Sequence, residues 1–278
     1  MILISSKLGG DVTLSADQTT ISNSVEVVDD LTVNLNGKKL LYSGKDWLFN
    51  VYDDSWDGYD SENNLEINDP NNKTILTIEG EGEISATGAC IARAGEGGEI
   101  IINGGKHTAS GATLYESIGG KIKISTGVFQ SSLANPPYTL FQGDINNIYI
   151  NGGSFYKWDP SQTYNDETNN FPYQENQKTG YLAKLDDPRE FYEVSVEKDL
   201  SGIEVLWYNV KRKFLVDDAT DLQDAFNQNT STTIEINQTI DDKKLATINN
   251  GGEVTLNMNN NSYYSGTEGG YSINVLNH

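Results

Sequence analysis

The sequence predicts an all-β chain wound as a right-handed parallel β-helix, with a C-terminal cap and the start of a second β-helix behind a short helix. A recurring corner predicts it: Ile78-Glu79-Gly80, Ile102-Asn103-Gly104-Gly105, Ile124-Ser125-Thr126-Gly127 and Ile150-Asn151-Gly152-Gly153, whose isoleucines stand 24, 22 and 26 residues apart. An aliphatic residue precedes each isoleucine by two places (Leu76, Ile100, Ile122, Ile148), the alternation of a strand with one buried face. The three later copies carry a ring two places after the last glycine: His107, Phe129 and Phe155.

A period of this length carried by strands denotes a stacked solenoid. Leucine-rich repeats share the length but need a Leu/Asn ladder that is missing here. A β-sandwich also gives short strands and glycine turns, yet it does not repeat the same residue types at one interval. A second set, Cys90-Ile91-Ala92-Arg93, Thr113-Leu114-Tyr115-Glu116 and Thr139-Leu140-Phe141-Gln142, follows the glycine corners at matched positions and supplies another strand per turn. The glycines fall where the backbone needs positive φ or close approach.

In chain order, Val12–Leu14, Val25–Val28 and Leu31–Leu35 read as strands, Asn36-Gly37 as a tight corner, and Leu40–Tyr42 and Leu48–Val51 as further strands. Residues 53–73 break the period as an acidic, aromatic insertion. The β-helix is expected over 1–158, an irregular or hairpin cap over 159–210, and a short helix with an incomplete second β-helix over 211–278. In the cap, 191–196 is expected to pair with 203–207 across Lys198–Gly202. The helix is placed at 217–229, with Asp218 or Thr220 as N-cap and Leu222, Ala225 and Phe226 on one face. Thr32-Val33-Asn34-Leu35-Asn36-Gly37 recurs as Thr255-Leu256-Asn257-Met258-Asn259-Asn260.

Composition narrows the partners. The formal charge is −21, from 40 acidic and 19 basic residues, and only Arg93, Arg189 and Arg212 are arginines. Nucleic acid and anionic membranes are poor partners for that field. The single cysteine, Cys90, excludes an internal disulfide and reads as a small packed residue. No apolar run reaches membrane-spanning length. The first residues show neither a basic leader nor a long apolar region, so no signal peptide is expected.

Several residues invite chemistry. Asp53, Ser55 and Asp57, followed by Gly58, match the first half of a calcium loop, whereas Asn64 stands where the closing Glu belongs. A solvated surface loop is the alternative, and no other cofactor is implied. Trp56, Tyr59, Tyr156 and Trp158, with Tyr52, Tyr164, Tyr173 and Tyr181, gather outside the repeats as a glycan platform or an inter-subunit seam. Tyr263, Tyr264 and Tyr271 mark the end of the second module, where another subunit is expected. Arg93 and Lys123 could lie on neighbouring turns as in a lyase, but no acidic cluster accompanies them, and Glu99, Glu116, Asp144 and the 53–62 loop could supply carboxylate pairs, although chance pairs are expected in so acidic a chain. His107 lacks a sequence partner and reads as packed or exposed. No nucleophile elbow, P-loop, zinc spacing or dinucleotide fingerprint occurs.

Ile150–Pro160, with Gly180-Tyr181 and Phe191–Val194 after it, resembles the closing unit of a β-helix type found in virion fibre and spike proteins of phages of gut bacteria, and in large surface proteins of those bacteria. Leu31–Gly37 and Leu76–Gly82 resemble its early turns, so the likeness covers about residues 25–196. It implies a non-enzymatic virion structural protein, a homo-oligomer (a trimer, to meet symmetric mounts) that contacts other virion proteins and host surface polysaccharide. The alternative is a secreted or cell-surface protein that binds or degrades carbohydrate.

Overall fold

The computed structural model describes residues 7–52, 73–87, 90–117, 119–132, 140–141, 147–162, 180–227, 232–241, 246–248, 254–264 and 273–275. They form a parallel β-helix of three strand ladders with one short α-helix. The chain divides into two compact units, 1–182 with 194–210 and 183–193 with 211–278.

The first unit follows from alternation. On its first ladder Val33, Ile78, Ile102, Ile124 and Ile150 stand directly beside one another, as do Leu31, Leu76, Ile100, Ile122 and Ile148. All ten are buried and none is more than 3% exposed, so the repeated isoleucines make a dry column. Each contributes roughly 1.5–3 kcal/mol by leaving water. The second ladder runs Leu40, Ile84, His107, Phe129, Phe155. The third runs Phe49, Ala92, Leu114, Leu140. Like sits on like because consecutive turns present the same position to the same wall.

Corners are specified by single residues. Asn36 and Gly37 both take positive φ, 49° and 72°, and form the tight turn between the first and second ladders. The Asn34 carboxamide accepts the Asn36 N–H at 2.9 Å and donates to Glu79 Oε1 at 3.0 Å on the next turn. Asn36 Nδ2 donates to the Leu14 carbonyl on the previous one. Where the third ladder returns to the first, a Cβ on Gly98 would lie 2.2 Å from the Val51 carbonyl oxygen, and one on Gly120 equally close to that of Ala94. Only glycine lets the backbone come that near.

The first unit ends in a reversed strand. Trp207–Val210, within Val205–Val216, pairs antiparallel with Gly153–Tyr156 and closes the second ladder. The turn before it is closed by the Asp199 N–H on the Glu204 carbonyl, close to the expected hairpin. The Asp199 carboxylate accepts from Ser201 Oγ and the Ile203 N–H, and these bonds hold its pKa below the ordinary value. On the first ladder the chain returns at Tyr181, whose carbonyl accepts from the Ile150 N–H.

The second unit repeats the scheme. Phe214, Ile234 and Leu256 stack on its first ladder, Ile240 pairs with Tyr263, and Ala246–Ile248 pairs with Ile273–Val275. Asn259 and Asn260 have φ of 46° and 65°, and the Asn257 side chain accepts the Asn259 N–H, the same corner as Asn34-Leu35-Asn36-Gly37. The recurrence expected from sequence is therefore a structural one. The helix is Ala219–Phe226, shorter than the expected span, with Asp218 as its N-cap; the Asp218 carboxylate accepts from Thr220 N and Asp221 N. It buries Ala219, Leu222, Ala225 and Phe226 against Phe214, Val216, Ile234, Ile236 and Ile240. The Gln223 carboxamide accepts the Thr247 N–H at 2.8 Å and donates to the Thr247 carbonyl at 2.9 Å, taking the place of a neighbouring strand.

Candidate functional site: rings and an arginine on the third ladder

The outward side of the third ladder carries Glu26, Asn50, Arg93 and Tyr115 in one row, one from each of four consecutive turns. Alternation puts them there, since their neighbours Val27, Val51, Ala92 and Leu114 point inward and are buried. Trp47 lies in register with Cys90 beside this row. The Trp47 and Tyr115 rings stack with centroids 6.2 Å apart, and the Arg93 guanidinium carbon sits 5.0 Å from the Trp47 centroid. A desolvated cation over an indole is worth about 0.5–2 kcal/mol. All four residues, Trp47, Asn50, Arg93 and Tyr115, are half-buried.

A polar relay fixes the guanidinium. Asn50 Nδ2 donates to Glu26 Oε2 at 2.9 Å, and Arg93 donates to Asn50 Oδ1 at 3.4 Å and to Ser117 Oγ at 3.1 Å. The Asn50 amide thus stands between the Glu26 carboxylate and the arginine. Among the described residues Arg93 makes no ion pair. Arg189, by contrast, bonds Asp187, Asp221 and Asp224, and Arg212 bonds Glu190. Burial raises the Tyr115 hydroxyl pKa, with Arg93 opposing, and burial raises the Cys90 thiol as well, so both keep their protons at neutral pH. Rings, a cation, an amide and a hydroxyl on a rigid sheet can grip a sugar.

The residues singled out from sequence distribute differently. Asp53, Ser55, Trp56, Asp57, Tyr59, Asp144, Tyr164, Tyr173 and Tyr271 lie outside the described residues, as does the Tyr264 side chain. Trp158 is a correction. It is 1% exposed and packs on Phe155 and Tyr181, at 5.3 and 5.0 Å, inside the column, so it offers no face to a glycan. Tyr181 is buried with it. Tyr156 is half-buried, edge-on to Trp207 at 5.2 Å, with the Lys157 ammonium 5.4 Å over its ring and paired to Glu204. Tyr263 is half-buried against the core of the second unit.

The lyase-like pairing does not form, because Arg93 is on the third ladder and Lys123 on the first. Lys123 lies 2.6 Å from the Glu99 carboxylate, which is itself nearly buried. Glu116 is fully buried and accepts from Asn147 Nδ2. His107 is fully buried, stacked on Phe129 at 5.0 Å, and its Nε2 lies 2.8 Å from the Gly104 carbonyl. That carbonyl can only accept, so Nε2 carries the proton. Burial pushes the His107 pKa down to about 4, and the ring is a neutral packing group. No group of three or more His, Cys, Asp or Glu side chains among the described residues is arranged to hold a metal ion.

Sequence reasoning missed Trp47 and Tyr115. The third-ladder register places Tyr115 opposite Arg93, one residue away from the pairing that the matched segments suggest. The fold and the site define a parallel β-helix protein with an aromatic, arginine-bearing flank. Comparison with protein-family models, curated proteins and solved structures returns no match.

Proposed function

We propose that this chain is a non-enzymatic structural subunit of a virion fibre or spike, that it works as an oligomer, and that its third-ladder flank binds a host surface glycan. The observation that supports the reading best is the dry interior of the first unit, where isoleucine stacks on isoleucine and ring on ring through consecutive turns. Such a column bends little and presents fixed side chains on its outside, as a stalk or receptor-facing surface requires. Two of the carboxylates that the sequence offered for acid/base chemistry are engaged otherwise, Glu99 with Lys123 and Glu116 in the interior.

The test is incubation of the purified chain with capsular polysaccharides from candidate hosts. Glycan retention, glycan chain length and the light-scattering mass of the protein are measured with and without calcium. A multimer that retains glycan of unchanged length is expected. Shortened glycan and a monomeric mass would overturn the reading in favour of a secreted or surface polysaccharide-degrading protein. A calcium-dependent change would credit the Asp53-Ser55-Asp57 loop.

A further inference from the structure

We infer that the Trp47–Arg93–Tyr115 patch selects an acidic sugar, one whose ring carries a carboxylate. The inference rests on the glycan-binding part of the function proposed above and names the class of glycan.

With 40 acidic residues in the chain, an arginine finds a carboxylate readily. Arg189 and Arg212 do so, and Lys38, Lys39, Lys106, Lys123, Lys157 and Lys213 each pair with Asp or Glu. Arg93 is the arginine that, among the described residues, meets only neutral groups: an amide oxygen, a hydroxyl and an indole face. Glu26 stands in the same row on the far side of Asn50, which takes its carboxylate on Nδ2 and offers Arg93 the uncharged Oδ1. The relay holds the guanidinium in place without neutralising it.

A guanidinium has five N–H donors in a planar fork that matches a carboxylate, and the two described side-chain bonds leave further donors for a ligand. Half-burial raises the value of a charge-assisted bond made there. Trp47 and Tyr115 stack on each other beside the cation and, half-buried, supply apolar area for the C–H groups of a pyranose. Tyr115 keeps its proton, so its oxygen also adds no competing negative charge. A neutral sugar would use the rings and leave the charge unsatisfied, whereas a uronic or sialic acid uses both.

The test takes the full chain and a panel of oligogalacturonate, oligoglucuronate and sialyl-oligosaccharide, each beside its carboxyl-reduced, neutral form. Binding is read by calorimetry and by tryptophan fluorescence. At least one acidic member is expected to bind at least tenfold more tightly than its reduced form, and Arg93→Gln is expected to remove that difference while the thermal midpoint holds. Trp47→Ala is expected to weaken both forms. Equal binding of acidic and reduced forms overturns the acidic-sugar assignment and leaves the glycan-binding reading standing. Binding of no member in either form overturns both. The comparison of the two forms needs no variant, so a poorly folding Arg93→Gln does not blunt it; Arg93→Lys, which keeps the charge, is then expected to retain part of the difference.

Discussion

The first solenoid and the second share one corner, Asn-x-Asn-Gly in one and Asn-x-Asn-Asn in the other, but terminate their ladders differently. In the first unit the backbone reverses, and Trp207–Val210 lays an antiparallel segment along Gly153–Tyr156. In the second, a single carboxamide on a helix, Gln223, meets both polar groups of Thr247 while the helix buries four residues over the core. A β-edge needs its donors and acceptors satisfied, and the chemistry that does so can be a strand or one side chain. The first solution is distributed over several bonds, whereas the second is concentrated in two. They should therefore fail differently.

The largest expected effect is inside the first column. Phe129→Ala removes a ring held between His107 and Phe155, at 5.0 and 5.1 Å, and should cost about 3–5 kcal/mol, read by denaturant unfolding of the first unit. If the loss is under ~1 kcal/mol, the column is not the continuous core described here.

Next comes acid sensitivity. The His107 pKa is depressed from 6.5 to about 4 by burial, so its neutral form stabilises the fold. That contribution is fully present above pH 6.5 and is lost as pH falls from 6.5 through 4, to a total of about 3 kcal/mol. His107→Leu should flatten this acid limb in the first unit and leave the second unit's pH response unchanged, a contrast that urea melts at pH 4 and pH 7 measure. An unchanged acid limb would mean that other groups carry it.

In the second unit Gln223→Leu keeps the helix but strips both bonds from Thr247, and should cost about 1–3 kcal/mol. Hydrogen exchange is the readout, with the Thr247 amide losing protection while amides of the first unit keep theirs. The smallest effect is Asp218→Ala, which removes the N-cap and should cost about 1 kcal/mol, seen as faster exchange in the first helical turn. A Gln223→Leu chain as protected as the parent would show that the helix face alone seals that edge.

The isoleucine and ring ladders were legible because the same residue types return at the same place in each turn, and burial follows from alternation alone. The corner of the second module was legible as a recurrence of the first, and Asn259 and Asn260 take positive φ there as Asn36 and Gly37 do. The candidate site was not. Read as matched four-residue strands, the segments put Arg93 opposite Glu116, yet the Thr113 carbonyl accepts from both the Ile91 and Ala92 N–H groups. That local irregularity moves the register by one residue and sets Arg93 beside Tyr115. Trp158 failed for a different reason. It follows the last repeat in a polar stretch, and only the three-dimensional stack with Phe155 and Tyr181 reveals that it continues the interior.

The Gln223 carboxamide has a wider meaning, because it carries the donor and acceptor of a peptide bond on a flexible arm. With such a mimic, the strand edge at Thr247 is met by a helical segment and needs no further strand laid along it. An edge met in this way is closed to unwanted strand partners at the cost of one side chain.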